Sequence, residues 1–206
     1  MKKPQFIETI RVENGRFCLL QFHVERANNT CKVYFSKTLD IDLKDCIIPE
    51  NMRSGIVKCR IIYSDRIESI SFEPYTFKCI KQLALIHDNT ISYNYKSSDR
   101  SQLQHLLSMK LSCDDILIVK NGYITDTSYT NVVFENKDGL FTPSTPLLSG
   151  VQRRFLLENG IIKEKSISVT ELNEYTHIYL INAMIRLEDS IKLGTNNIIP
   201  VNHTNQ

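Results

Sequence analysis

The chain opens with the apolar and polar alternation of a half-buried strand. Phe6-Ile7-Glu8-Thr9-Ile10-Arg11-Val12 runs through Glu13-Asn14-Gly15-Arg16 and returns as Phe17-Cys18-Leu19-Leu20. An Asn-Gly step between two such runs predicts a hairpin. Phe22-His23-Val24-Glu25-Arg26-Ala27 then reads as a short helix stopped by Asn28-Asn29. Strand patterns over residues 56–63 and 67–72 are parted by polar Ser64-Asp65-Arg66, so the N-terminal half is expected to be mostly antiparallel sheet.

The period changes after Lys96. Leu103, Leu106, Leu107 and Met109 recur at helical spacing and predict a helix over 99–110, with Ser98 or Asp99 as its N-cap. Strand-like runs follow at 115–119, 123–125 and 131–134, interrupted by Asn121-Gly122 and the polar Thr127-Ser128 stretch, and a second sheet is expected to begin there. Gly150 precedes a helical pattern over 151–158 that Asn159-Gly160 ends. Residues 161–184 read as strand, short helix and strand. The composition shift over 88–95 is the best linker candidate, which gives an α+β protein of two lobes, a small one over 1–90 and a larger one over 91–206.

Composition narrows the classes of function. The 206 residues are 42% hydrophobic and 23% charged, ordinary for a globular chain, and 25 basic against 23 acidic side chains leave a net charge of +2. With no basic block, neither nucleic acid nor an anionic membrane is implied as a partner. The apolar runs fall far short of the roughly 20 residues a membrane helix needs, and the start, Met1-Lys2-Lys3-Pro4, lacks the apolar stretch of a secretory signal. A cytoplasmic protein is expected. Cysteines 18, 31, 46, 59, 79 and 113 include no CxxC pair, so reduced structural thiols are expected and no metal site is implied.

Three places could carry chemistry. Lys96 lies near Tyr93 and Tyr95, just before a helix and at the expected lobe junction, where a desolvated amine becomes a nucleophile. Gly150-Val151-Gln152-Arg153 places the free N–H groups of a helix N-terminus where an anion can sit. The stretch from Gly122 to Asn131 concentrates hydroxyls, an amide and the carboxylate of Asp126 in an otherwise apolar region. Those groups serve either one another or a polar ligand.

Taken in order, these pieces resemble the class IV aminotransferase family, the fold type IV pyridoxal-phosphate enzymes that include branched-chain and D-amino-acid aminotransferases and aminodeoxychorismate lyase. Residues 7–15 resemble the family's opening strand and His23-Val24-Glu25-Arg26 its H-x-x-R helix. Tyr95-Lys96-Ser97-Ser98-Asp99-Arg100 resembles the segment of the Schiff-base lysine, and Asp126 to Val132 the E-x-S-x-x-N strand. Leu148-Ser149-Gly150-Val151-Gln152-Arg153 resembles L-x-G-x-x-R, and Leu180-Ile181-Asn182-Ala183-Met184 the last loop on the phosphate side.

The resemblance implies a two-lobed fold with pyridoxal 5'-phosphate in the cleft between the lobes. It implies that Lys96 is the catalytic lysine, that Arg26, Gly150, Val151, Gln152, Asn182 and Ala183 lie around the phosphate, and that Asp126 with Asn131 serves the pyridine ring. Asp126 departs from the family's usual glutamate by one methylene. A homodimer acting on a small amino-acid-like substrate is also implied. Arg60, Arg66 and Arg100 are candidates for a substrate carboxylate, with Tyr95 beside them.

Lys96-Ser97-Ser98-Asp99-Arg100 is nearest to K-[ST]-x-[ND]-R, the pattern of aminodeoxychorismate lyase. The expected reaction releases pyruvate and 4-aminobenzoate, a step of folate formation. The alternatives are a branched-chain or D-amino-acid aminotransferase and a non-catalytic relative that binds the cofactor.

Overall fold

The opening alternation becomes strand pairing. β1 (Phe6–Glu13) turns through Asn14 and Gly15, both at positive φ, into the two-residue β2 (Arg16–Phe17). The computed structural model that shows this describes residues 3–39 and 47–201. α1 (Leu20–Phe35) follows, then the antiparallel pair β3 (Ile56–Tyr63) and β4 (Ile67–Pro74), giving the sheet order β2-β1-β3-β4. Phe6, Ile10 and Val12 on one face of β1 join Val57, Cys59, Ile61 and Tyr63 of β3 in a core closed by α1.

α1 is sixteen residues long and does not stop at Asn28-Asn29, contrary to the sequence expectation. Leu20, Val24, Ala27, Cys31 and Phe35 keep one stripe of the helix against the sheet on both sides of the two asparagines. Two asparagines in a helix cost together about 1 kcal/mol relative to alanine, whereas removing ~100 Å² of apolar surface from water returns roughly 2.5 kcal/mol. Packing therefore wins. The helix ends at Ser36, whose left-handed backbone returns its N–H to the carbonyls of Cys31 and Lys32.

β5 (Leu83–His87) begins the second region, followed by α2 (Ser101–Ser108), β6 (Asp115–Lys120) and β7 (Tyr123–Thr127). Next come β8 (Asn131–Asn136), β9 (Gly139–Pro143), α3 (Val151–Glu158), β10 (Lys163–Lys165), a short 3-10 helix over Val169–Glu174 and β11 (His177–Ile181). β12 (Lys192–Gly194) and β13 (Ile198–Pro200) complete the order. The strands form two sheets, β13-β5-β6-β7 and β10-β9-β8-β11-β12. Leu83, Leu117 and Ile124 of the first meet Val132, Phe134, Ile178 and Leu180 of the second in one core.

The chain divides into two units, Met1–Phe77 with Tyr95–Asp99, and Lys78–Asn94 with Arg100–Gln206. The expected boundary at 90/91 falls inside the second unit because β5 pairs in parallel with β6. Residues 88–95 are not a bare linker: Asp88 accepts from Thr90 and Ile91 in a tight turn, and Ile91 is fully buried. The Lys96 segment returns to the first unit, where Ser97 bridges Phe6 and Ser98 donates its N–H to Gln5. That pairing occupies Ser97 and Ser98. α2 therefore starts at Ser101 after Arg100, instead of being capped by Ser98 or Asp99.

Other expectations held. α3 spans the residues expected, and β6, β7 and β8 fall where the apolar runs predicted, although β8 joins a different sheet from β6 and β7. β5, β9, β12 and β13 were not foreseen. Cys18, Cys31, Cys59, Cys79 and Cys113 are not joined in disulfides; Cys46 lies outside the described residues. Among the described residues, no helix is long and apolar enough to cross a membrane.

Candidate active site

In the first unit the chemistry gathers on a carboxylate that the strand pattern places inward. Glu8 shares its face of β1 with Phe6, Ile10 and Val12 and is completely buried. Arg26 of α1 grips it at two points, Nε to Oε1 at 2.9 Å and Nη2 to Oε2 at 2.5 Å. His23, one turn earlier on the same helix, brings Nδ1 to 2.5 Å from Oε2. Burial would raise the Glu8 carboxyl, but the Arg26 charge and the His23 contact outweigh it and hold the group at about 2. His23 is shifted down, first by burial and against the pull of Glu8, with the charges of Arg26 and Lys96 adding to the decrease. A neutral ring donating from Nδ1 fits this arrangement.

Lys96 lies on a short extended segment pinned to β1, where its carbonyl accepts the Ile7 N–H at 2.9 Å. Its side chain belongs to a half-buried residue, and its charge is felt at His23. Arg26 and Lys96 thus act on one histidine. Tyr95 packs edge-on against Tyr34 of α1 at 5.1 Å and lies against the core of the first unit. Arg60 on β3 lies beside the Lys58–Glu73 ion pair, and Arg66 is exposed and 3.6 Å from Glu68.

In the second unit the polar stretch is indeed buried and partly self-satisfied. Asp126 accepts Asn131 Nδ2 on Oδ1 at 2.8 Å and the Leu148 N–H on Oδ2 at 2.9 Å. Burial pushes its carboxyl up to about 6 against those hydrogen bonds and the more distant charge of Arg153. Asn131 also donates to the Leu148 carbonyl, so one amide ties β8 to the chain just ahead of α3.

Gly150 has ordinary extended dihedrals, φ −73° and ψ 143°, so left-handed freedom is not what it supplies. Space is. A Cβ there would lie 1.8 Å from Asn131 Oδ1. No side chain caps α3 and its first turn holds no acid, leaving the leading N–H groups over Val151 and Gln152 suited to an anion. Asn182 closes the turn after β11, accepting from Met184 and Ile185 and donating to the Tyr129 carbonyl at 3.3 Å. Ala183 sits within that turn. Asp126, Asn131, Gly150 and Asn182 are therefore drawn together around the β7–β8 turn.

Residues 5–187 match the family model described as amino-transferase class IV. The chain belongs to the class IV amino-transferase family. An uncharacterized protein of Haemophilus influenzae is 33% identical over 180 residues, covering 86% of this chain and 96% of that protein. The crystal structure of a "putative 4-amino-4-deoxychorismate lyase" from Haemophilus somnus 129PT is 33% identical and superposes with a TM-score of 0.78, over 89% of this chain and 97% of that one. The branched-chain amino acid aminotransferase from Escherichia coli shares the fold at 15% identity, with a TM-score of 0.70 over 93% of this chain and 76% of its own.

Membership makes the chain a pyridoxal-phosphate-dependent enzyme of the class IV family. Its residues fit that cofactor. The uncapped start of α3 suits a phosphate, and a buried carboxylate near its neutral point suits a ring nitrogen. Glu8 was missed as a site residue; the alternation of β1, which puts an acid in a core phase, is the signal that could have found it, but only the folded chain shows the Glu8–His23–Arg26 set.

Proposed function

We propose that this enzyme acts as a 4-amino-4-deoxychorismate lyase, releasing pyruvate and 4-aminobenzoate. The observation that carries this reading is the 33% identity to the Haemophilus somnus protein across 97% of its length. The Lys96–Arg100 segment and a 26% identical relative in Schizosaccharomyces pombe, a putative aminodeoxychorismate lyase by name, support it.

Bound pyridoxal phosphate supplies an electron sink for the charge that forms at the carbon bearing the substrate amine. Lys96 holds the cofactor and moves the proton at that carbon. Asp126 takes the ring N–H and keeps the proton on it, while Asn131 and the Leu148 N–H fix the carboxylate's orientation. The N–H groups opening α3 receive the phosphate, with Arg26 as its counter-charge and Asn182 and Ala183 forming the adjoining turn. Glu8 and His23 position Arg26. A homodimer is the expected working form, which sedimentation would measure.

A yellow protein that gives a phosphopyridoxyl peptide at Lys96 after borohydride reduction is expected. In multiple-turnover assay, pyruvate should appear from aminodeoxychorismate without an acceptor. Turnover that depends on a keto acid would replace the lyase with an aminotransferase. Silence with every amine, despite the Lys96 adduct, would leave a non-catalytic cofactor binder.

A further inference from the structure

The second unit contains a half-buried guanidinium that has no carboxylate partner among the described residues. Arg100, the residue before α2, donates from Nη2 to the Ser128 carbonyl at 2.6 Å. Its Nε is shut off from solvent and has no hydrogen-bond acceptor. Among the described residues, Arg11, Arg26, Arg66, Arg153 and Arg154 each pair with a carboxylate, and Arg100 does not. A buried donor without an acceptor and a charge without a counter-charge are both costly. Arg153 shares the orphaned Nε but has Glu164 as its counter-charge, so the missing carboxylate is what sets Arg100 apart and what a ligand anion would supply.

Its position matters for chemistry. Ser128 lies two residues beyond Asp126 and three before Asn131, on the turn that gathers the ring-side residues. Along the chain, Arg100 is four residues from Lys96, at most roughly 14 Å of extended backbone. Of the other two arginines open to this role, Arg66 is exposed and faces Glu68, and Arg60 is sensed by Glu73.

We propose that Arg100 is the specificity-determining residue that receives a carboxylate of the substrate. Arginine takes a carboxylate at two points, and the Ser128 carbonyl holds the plane of the guanidinium in place. The assignment rests on the function proposed above.

The test compares wild type, Arg100→Lys and Arg100→Met as holoenzymes. Borohydride reduction first reports the Lys96 adduct in each. Equilibrium dialysis then measures 4-aminobenzoate against 4-aminobenzamide, and pyruvate against pyruvamide, with KM and kcat for aminodeoxychorismate alongside. Wild type should favour at least one acid over its amide, Arg100→Met should erase that preference and Arg100→Lys should keep part of it. KM should rise about 10- to 100-fold, more than kcat falls, as expected for a lost charged hydrogen bond. An adduct at Lys96 with acid preference absent in wild type, or unchanged in Arg100→Met, overturns the role of Arg100 and leaves the enzyme reading standing. Absence of the adduct in wild type overturns both.

Discussion

Two carboxylates of this chain are almost equally cut off from solvent and behave in opposite ways. Glu8 is 0% and Asp126 5% exposed. Burial pushes both carboxyls up. At Glu8 a gripping guanidinium and an imidazole reverse the effect and hold the group at about 2, while at Asp126 the nearest donors are an amide and a backbone N–H, and the group stays at about 6. Burial sets the size of the penalty, and the formal charge of the nearest partner sets the sign of the outcome. The first unit thus holds a permanent anion that anchors Arg26. The second holds a carboxyl that exchanges its proton at about pH 6.

Cutting the charged contact should show the largest effect. Arg26→Leu strips the buried Glu8 of its cation and leaves it one neutral neighbour, and a loss of about 3–5 kcal/mol in urea unfolding is expected; a loss under about 1 kcal/mol would contradict the anchoring role. Gly150→Ala should come next. Its methyl group must displace the Asn131 amide that orients Asp126, costing about 2–3 kcal/mol and lowering cofactor affinity, readable by titration of the visible absorbance.

The two carboxylates also separate by pH. Glu8 has a folded value below its ordinary 4.5, so its contribution is present above pH 4.5 and is lost as pH falls towards 2. Asp126 has a folded value above its ordinary 3.8, so its contribution is complete below pH 3.8 and is lost as pH rises through about 6. Asp126→Asn should flatten the stability profile between pH 3.8 and 6, with about 1–3 kcal/mol of general loss from one mispaired hydrogen bond. Glu8→Gln should flatten only the limb from 4.5 to 2. Stability curves of both variants that kept the wild-type shape would remove the contrast.

The smallest change tests the helix that delivers Arg26. Asn29→Ala, at an exposed site inside α1, should stabilise by about half a kcal/mol. Destabilisation would instead mean that the helix breaks at the asparagines.

Much of the candidate site was legible because its parts are short and local. Gly150 before an apolar helical pattern, Lys96 beside aromatic residues and Asp126 in a polar run each carry their signal within ten residues. The roles around them were not legible, because they depend on partners far along the chain. Glu8 meets Arg26 across eighteen residues and Asp126 meets Leu148 across twenty-two. β5 was missed for the same reason: a run of four apolar residues has no period of its own and becomes a strand through parallel pairing with β6, thirty-two positions away.

The sequence by itself determined the Asn14-Gly15 hairpin, the two strands on either side of Ser64-Asp65-Arg66, α3 and the order of family motifs, since alternation, turn residues and helix-stop signals act between neighbours. Tertiary structure alone decided that α1 runs through two asparagines, that the Lys96 segment returns to β1, and that one buried carboxylate is a fixed anion while the other is poised to titrate. Those outcomes depend on burial and on the charge of distant partners, neither of which is written in adjacent residues.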